Sequence, residues 1–474
     1  MDTKQLRQKI LDLAIRGKLV PQDPNDEPAS VLLERVKAEK ERLIAEGKIK
    51  RSKKSAASSD KPHYPFEIPN NWVWTRLNEI TTLIEDCPHS TAKDEGSGYP
   101  LIRTPNVGVG RLLLEGVHRV SKDVYDKRNI RAIPQEGDII YAREAPAGNA
   151  ATIQKGEIVC LGQRTVLIRP LKGFVYSLLL TYFINAPLSR KSLISKAVGS
   201  TAAHVNMEVI RPFWIPLPPL QEQIRIVKEV ERLFTIINSI EIEQIELENK
   251  ISMMKSRVLE LAISGKLVPQ DPADEPADEL LLRINPSAKA ADKSHYKFDI
   301  PNNWIISQLG NLFNHNTGKA LNRSNQEGRM LDYITTSNLY WDRFELNNLK
   351  QMPFKESEID KCTVIKGDLL VCEGGDVGRA AIWNYDYSIC IQNHIHRLRP
   401  IDNHLVFPRF YYYCFLLYKQ QNLIGGKGIG IQGLSSNQLH KVVFPLPPLN
   451  EQKRIVAEVD ELFAVIDRIK QSLE

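Results

Sequence analysis

The chain has 474 residues, 42% hydrophobic and 25% charged, with 26 Gly and 28 Pro. At one domain per ~100 to 200 residues this allows two to four folding units and excludes wholesale disorder, collagen-like repeats and mucin-like stalks. The formal net charge of +6 is a mild tilt toward polyanions, and the longest apolar run, Phe174 to Ile184, falls short of the ~20 residues a bilayer demands, so no membrane partner is expected.

Met1-Asp2-Thr3-Lys4 shows no apolar leader, and the six cysteines have neither Cys-x-x-Cys nor Cys/His ligand spacing. Both features suit a reduced cytoplasm. Residues 1–62 read as an N-terminal helix, ended near Gly17, and a basic linker. Lys37 to Lys54 holds eight Lys/Arg against three Glu, and a solvated helix is expected there rather than a DNA-binding patch. Residues 63–219 read as a globule, with strands at Asp138–Tyr141 and Thr165–Arg169 and a buried helix over Phe174–Ile184. In residues 220–294, apolar side chains fall at Ile226, Val230, Leu233, Ile237, Ile240, Leu247, Ile251, Met254, Val258 and Leu261, with polar Gln244 in its turn. That spacing predicts a coiled-coil helix from Gln221 to Ile263, roughly 65 Å long at ~1.5 Å per residue. Residues 295–448 form a second globule, in which Phe410 to Tyr413 are expected in the core rather than as a stacking platform. Residues 449–474 are a closing helix.

Internal repetition organises these segments. Leu13 to Pro24 returns as Leu261 to Pro272 at an offset of 248, His63 to Trp72 as His295 to Trp304 at 232, and Pro216 to Gln223 as Pro445 to Gln452 at 229. The stretches between are diverged but keep scaffold positions: Gly137-Asp138 with Gly367-Asp368, Cys160 with Cys390, and Arg169-Pro170 with Arg399-Pro400. The fold class expected is α+β, with two α/β globules in pseudo-two-fold tandem. They are separated by long antiparallel helices, one central and the other made of the C-terminal and N-terminal helices, whose chain ends meet opposite the central one. A rod holding two related globules at a set distance suits a ligand with approximate two-fold symmetry, and double-stranded DNA is the obvious one.

The sequence resembles the specificity (S) subunits of type I restriction-modification systems. The resemblance rests on Gly17 to Gln22 with Gly265 to Gln270, on Ile68 to Trp72 with Ile300 to Trp304, and on Pro216 to Gln223 with Pro445 to Gln452. It implies two target recognition domains, each reading half of a bipartite DNA sequence. It also implies helices that dock two methyltransferase (modification) subunits, and restriction (translocase/nuclease) subunits that join this core. No cofactor is expected on this chain; S-adenosylmethionine, ATP and Mg are expected on the partners.

Motifs for intrinsic chemistry are missing. Leu217-Pro218-Pro219-Leu220 lacks the polar and aromatic ends of an adenine methyltransferase tetrad, no phosphate loop follows any Gly-Lys pair, and no Gly-x-Ser-x-Gly elbow occurs. His394 and His396, two apart on a predicted strand, point to opposite faces and make a poor metal pair. A non-catalytic subunit is therefore expected, against the alternatives of an unrecognised DNA-modifying enzyme and a purely architectural adaptor.

Base edges are read by Arg, Lys, Asn and Gln and more permissively by Ser and Thr, while phosphates take the remaining basic and hydroxyl groups. In the first globule the candidates are Arg103, Thr104, Asn106, Arg143, Asn149, Gln163, Arg164, Ser200, Thr201, His204 and Asn206. In the second they are Thr336, Asn338, Arg379, Gln392, Asn393, His394, Lys427 and Gln432. For each, a structural polar role is the competing reading.

Overall fold

In this computed structural model the residues described are 2–51, 62, 64–144, 148–195, 204–293, 296–321, 327–424 and 434–473. The chain divides into two units, Met1–Gln244 and Ile245–Glu474. The division falls inside one helix, at the polar residue that interrupts its apolar seam. Each unit thus holds one globule together with a stretch of strut, a coarser parsing than the five segments read from the sequence.

The first unit runs α1 (Thr3–Ile15), α2 (Ala29–Ala45), β1 (Val73–Arg76), β2 (Thr81–Asp86), β3 (Tyr99–Ile102), β4 (Arg119–Val120), α3 (Lys122–Arg128), β5 (Ile139–Ala142), β6 (Ala150–Thr152), β7 (Cys160–Leu161), β8 (Thr165–Pro170), α4 (Ser177–Asn185), α5 (Pro187–Ile194), α6 (Met207–Ile210), β9 (Trp214–Leu217) and the first half of α7 (Leu220–Ile263). Strands β2-β8-β5-β6 form one sheet and β4-β3-β7 a second. Ile102, Ile140, Ala151, Leu161 and Leu167 pack between them. The other face of the first sheet buries Ile139, Tyr141 and Ile168 against Leu179, Leu180 and Phe183 of α4, in a core that continues to Ile10 and Ala14 of α1 and Ile226 and Val230 of α7. Strand β1 pairs antiparallel with β9, Val73 opposite Leu217, so the globule's first and last strands leave side by side at the strut.

The second unit repeats the plan with the second half of α7, α8 (Ala277–Ile284), β10 (Ile305–Gln308), β11 (Phe313–Thr317), β12 (Arg329–Ile334), β13 (Leu339–Tyr340), β14 (Arg343–Phe344), β15 (Lys350–Phe354), α9 (Glu356–Cys362), β16 (Thr363–Val364), β17 (Leu369–Cys372), β18 (Ala380–Ile382), β19 (Ile389–Ile391), β20 (Ile395–Pro400), α10 (Pro408–Gln420), α11 (Ser436–Lys441), β21 (Val443–Leu446) and α12 (Leu449–Leu473). The sheet β11-β20-β17-β18 corresponds to β2-β8-β5-β6, and β10 pairs with β21 as β1 does with β9. Phe410 to Tyr413 are buried on α10, as the sequence suggested. Arg169 clamps Asp138 at 2.7 Å in the first sheet and Arg399 clamps Asp368 at 2.7 Å in the second, which explains why these scaffold positions repeat.

The three repeated motifs meet at one junction in each unit. Glu222, fully buried at the start of α7, accepts from Trp72 Nε1 at 3.0 Å and from Gln22 Nε2 at 2.5 Å. Its counterpart Glu451 accepts from Trp304 Nε1 at 2.9 Å and from Gln270 Nε2. Burial pushes both carboxyls up, and these donors oppose the shift. Gln223 and Gln452 each donate to a carbonyl of the preceding Pro-Pro pair, satisfying backbone that proline leaves outside the helix. Arg225 pairs with Asp26 at 2.5 Å and Arg454 with Asp274 at 2.7 Å. Gly17 ends the segment after α1 at φ +66°, and a Cβ there would lie 2.5 Å from Pro69 Cγ; Gly265 does the same after α7, 2.4 Å from Pro301 Cγ. Glycine is needed at both for the left-handed helix end and for this close approach.

Within each unit the strut helices run antiparallel. Arg7 of α1 reaches Asn238 at 2.7 Å and Glu241 at 2.9 Å on α7, whereas Gln22 and Asp26 reach Glu222 and Arg225. In the second unit Lys255 of α7 meets Asp467 of α12 at 2.6 Å, whereas Gln270 and Asp274 meet Glu451 and Arg454. The seam is drier near the junctions than predicted farther out. Ile226, Val230 and Ile237 are buried, but Met254 is 49% exposed and Ile469 and Leu473 are also open. The buried stretch beside each junction is continuous with the globule core, while Ile251 and Ile466 are buried farther along the helices. Some of the cations of α2 and the segment after it are paired, Arg42 with Glu39 and Glu46 and Arg51 with Glu41.

Candidate nucleic-acid interface

In the first globule Asp86 ends β2, Arg143 and Glu144 follow β5, Asn149 precedes β6, and Gln163-Arg164 precede β8. Because β2 and β5 run antiparallel to β8, with Asp86 opposite Val166 and Ala142 opposite Thr165, these positions converge on one end of the sheet. Two further segments join them. Gly162 N donates to Ile102 O at 2.7 Å, placing Arg103 to Asn106 alongside, and Val205 N donates to Arg143 O at 2.9 Å, bringing His204 and Asn206. The opposite end of the same sheet carries the Asp138–Arg169 clamp and leads into α4 and the junction.

Several predicted residues at this end hydrogen-bond to the protein itself. Arg143 donates to Asp86 at 2.5 Å and to Val205 O at 3.1 Å. Asn149 Nδ2 donates to Val107 O at 2.9 Å. Asn106 is buried, accepting from Arg103 N at 3.2 Å and donating to Leu113 O at 3.4 Å. Thr104 is also buried, and Arg103 Nε is buried beside it. Gln163 Nε2 donates to His89 O at 2.8 Å from a half-exposed turn. Arg164 is different: its side chain is 61% exposed and meets solvent beside Glu144, with which it pairs. His204 is half-buried, and Asn206 precedes α6 without capping it. Ser200 and Thr201 lie outside the described residues.

The second globule builds the same end. Asn338 accepts from Thr335 N at 2.9 Å and donates to Glu345 O at 2.9 Å, repeating the Asn106 arrangement. Arg379 donates to Thr336 O at 2.6 Å and lies over the Tyr340 ring at 5.2 Å. Gln392 N donates to Ile334 O at 3.0 Å and Asn393 N to Lys319 O at 3.0 Å, so both belong to a stitched turn. His394 is exposed and stands 3.6 Å from Glu373. Lys427 and Gln432 lie outside the described residues. His396 points inward, as strand alternation requires. Its Nδ1 is 2.8 Å from His315 Nε2 and its Nε2 donates to Leu434 O at 2.5 Å, while the His440 ring lies tilted against His315 with centroids 4.9 Å apart. Burial drives His396 below its ordinary value and His315 down to about 3, with His396, His440 and Arg397 adding repulsion. Among the described residues no group of three or more His, Cys, Asp or Glu is placed to hold a metal ion.

Sequence reasoning missed the acids and the lysine that organise these ends: Asp86, Glu373, and Lys319, whose ammonium donates to Pro353 O at 2.7 Å and Glu358 at 2.6 Å. Strand pairing across the sheet brings them in, and no local motif marks them.

The family model for the type I restriction modification DNA specificity domain matches residues 69–253 and 301–474. The chain belongs to that family. Its two matches correspond to the two copies of the repeat, and the chain is a specificity subunit of a type I restriction-modification system. Among family members, the EcoAI specificity subunit of Escherichia coli is 28% identical over 98% of this chain and 90% of its own length, and the EcoEI specificity subunit of the same species 26% over 99% and 91%. A solved chain from work on assembly and conformational transition of the type I restriction-modification system aligns with a TM-score of 0.57 at 20% identity, covering 86% of this chain and 94% of that one, which supports the fold. Among the described residues no helix is long and apolar enough to cross a membrane.

Proposed function

We propose that the chain reads a two-part double-stranded DNA sequence, the loop end of each globule contacting one half-site, with the strut helices setting the distance between them. The observation that carries this reading is the duplicated loop end: two sheets of matched register, each gathering Arg, His, Asn and Gln on turns at the end away from the strut. A pair of such readers suits a pseudo-palindromic duplex. Methyltransferase subunits, two per chain, dock on the strut, and restriction subunits join that core. Ile236, Ile242, Ile245 and Met253, 45 to 71% exposed along α7, offer apolar surface for such docking. S-adenosylmethionine, ATP and Mg are then held by the partners, in the cytoplasm, and this chain contributes no catalytic group.

Exchanging residues 73–215 for the corresponding region of a relative should change one half of the recognised sequence and leave the other as it was. Unchanged specificity would refute the two-reader assignment, and adenine methylation by the purified chain with S-adenosylmethionine alone would refute the non-catalytic one.

A further inference from the structure

The geometry points to one base-reading position shared by the two globules, occupied by Arg164 in the first and His394 in the second. This rests on the DNA-reading function proposed above and narrows it from two loop ends to one turn in each. The two residues stand at the repeat offset of 230 that relates the scaffold positions. Their backbone hydrogen bonds correspond, although only Arg164 has a positive φ: the carbonyl of Arg164 accepts from Arg143 N at 3.0 Å, and that of His394 from Glu373 N at 2.9 Å. Each turn is fastened to the neighbouring strand in the same way, Gly162 N to Ile102 O and Gln392 N to Ile334 O.

On this frame the side chains differ from their surroundings. Arg143, Asn149, Asn106, Asn338 and Arg379 all turn inward onto the protein and act as positioning residues. Arg164 and His394 remain 61% and 55% exposed. Each is steadied by one carboxylate from the adjacent strand end, Glu144 or Glu373. Arg164 also adopts φ +64°, a left-handed conformation that is strained for a non-glycine residue and is retained only where surrounding contacts impose it. In the first globule, a turn that aims a tethered guanidinium outward is suited to meeting a base edge, because the carboxylate limits the side-chain freedom lost on contact.

The chemistry of the two occupants differs. A guanidinium matches the O6 and N7 acceptors of guanine with two parallel donors, whereas an imidazole supplies one donor at a time to such an edge. The same position therefore reads its two half-sites with unequal stringency, the first globule discriminating more strongly there.

The test is selection of DNA from a pool with both half-sites randomised, using the full chain together with its methyltransferase partner. Wild type must first enrich a bipartite sequence; failure at that step would refute the DNA-reading function itself. Given enrichment, Arg164→Ala should relax discrimination at one base pair of one half-site by roughly 5- to 150-fold, the range of one lost bidentate contact, and leave the other half-site intact. His394→Ala should relax one base pair of the other half-site by less. Arg164→Lys should restore charge but not discrimination. If either alanine variant weakens all sequences equally, the residue is a phosphate contact and the proposal is overturned, as it is by an unchanged profile. Thermal unfolding of each variant, expected to match wild type, excludes misfolding as the cause.

Discussion

Gly17→Ala separates two costs that the structure superimposes. At φ +66° an alanine pays for the left-handed backbone, about 1–2 kcal/mol, and its Cβ would also sit 2.5 Å from Pro69 Cγ, 2.8 Å from Pro69 Cδ and 3.1 Å from Trp72 Cζ2. The proline ring cannot swing away, so overpacking adds about 1–3 kcal/mol, for a total of roughly 2–5 kcal/mol. Gly47→Ala is the control, since Gly47 has φ +68° and nothing within 4 Å of the added carbon; it should cost only the backbone share. Urea titration of the full chain, read by hydrogen exchange on peptides covering residues 64–76 and 296–308, assigns the loss to a unit. Gly17→Ala should lower the first unit's midpoint well below that of Gly47→Ala, and Gly265→Ala should act likewise on the second. Equal effects of Gly17→Ala and Gly47→Ala, within ~0.5 kcal/mol, would show that the junction is not close-packed around this glycine.

Trp72→Phe should destabilise the first unit by about 1–3 kcal/mol by leaving the buried Glu222 carboxylate short of a donor; a double-mutant cycle with Glu222→Gln should reveal coupling, and strict additivity would refute the bond. The buried imidazoles make the second unit acid-sensitive. His315 is held near 3 in the fold against an ordinary 6.5, so its contribution is complete above pH 6.5 and is lost as pH falls toward 3. The first unit has Ile84 and Val166 at the matching register positions, with no imidazole there to titrate. Acid unfolding followed by hydrogen exchange should therefore open the second unit first, and His315→Leu should flatten its dependence between those values. Deleting one heptad from the middle of α7 shortens the helix by about 10 Å and should shift the preferred spacer by about three base pairs or abolish specific binding, as measured on targets of graded spacer length.

The tandem repeat, the long helix and the strand-rich globules were legible in the sequence because each rests on local periodicity or on recurrence of the chain with itself. The seam of α7 follows from spacing, and the glycine-terminated helix ends follow from one residue type at one place. The three recurring motifs could also be found by recurrence, but their purpose could not. That Gln22, Trp72 and Glu222 form one buried hydrogen-bonded group depends on chain segments up to 200 residues apart. The same limit separates the candidate readers. Arg143, Asn149 and Arg164 are equally polar in composition, yet only the pairing of β2, β5 and β8 turns two of them onto the protein and leaves the third facing outward. Residue type and spacing therefore determined the architecture and the family, because they reflect short-range sterics and hydrophobic period. Which polar side chains remain available to a ligand was decided by tertiary structure, since a buried donor must be satisfied by whatever carbonyl or carboxylate the fold brings beside it.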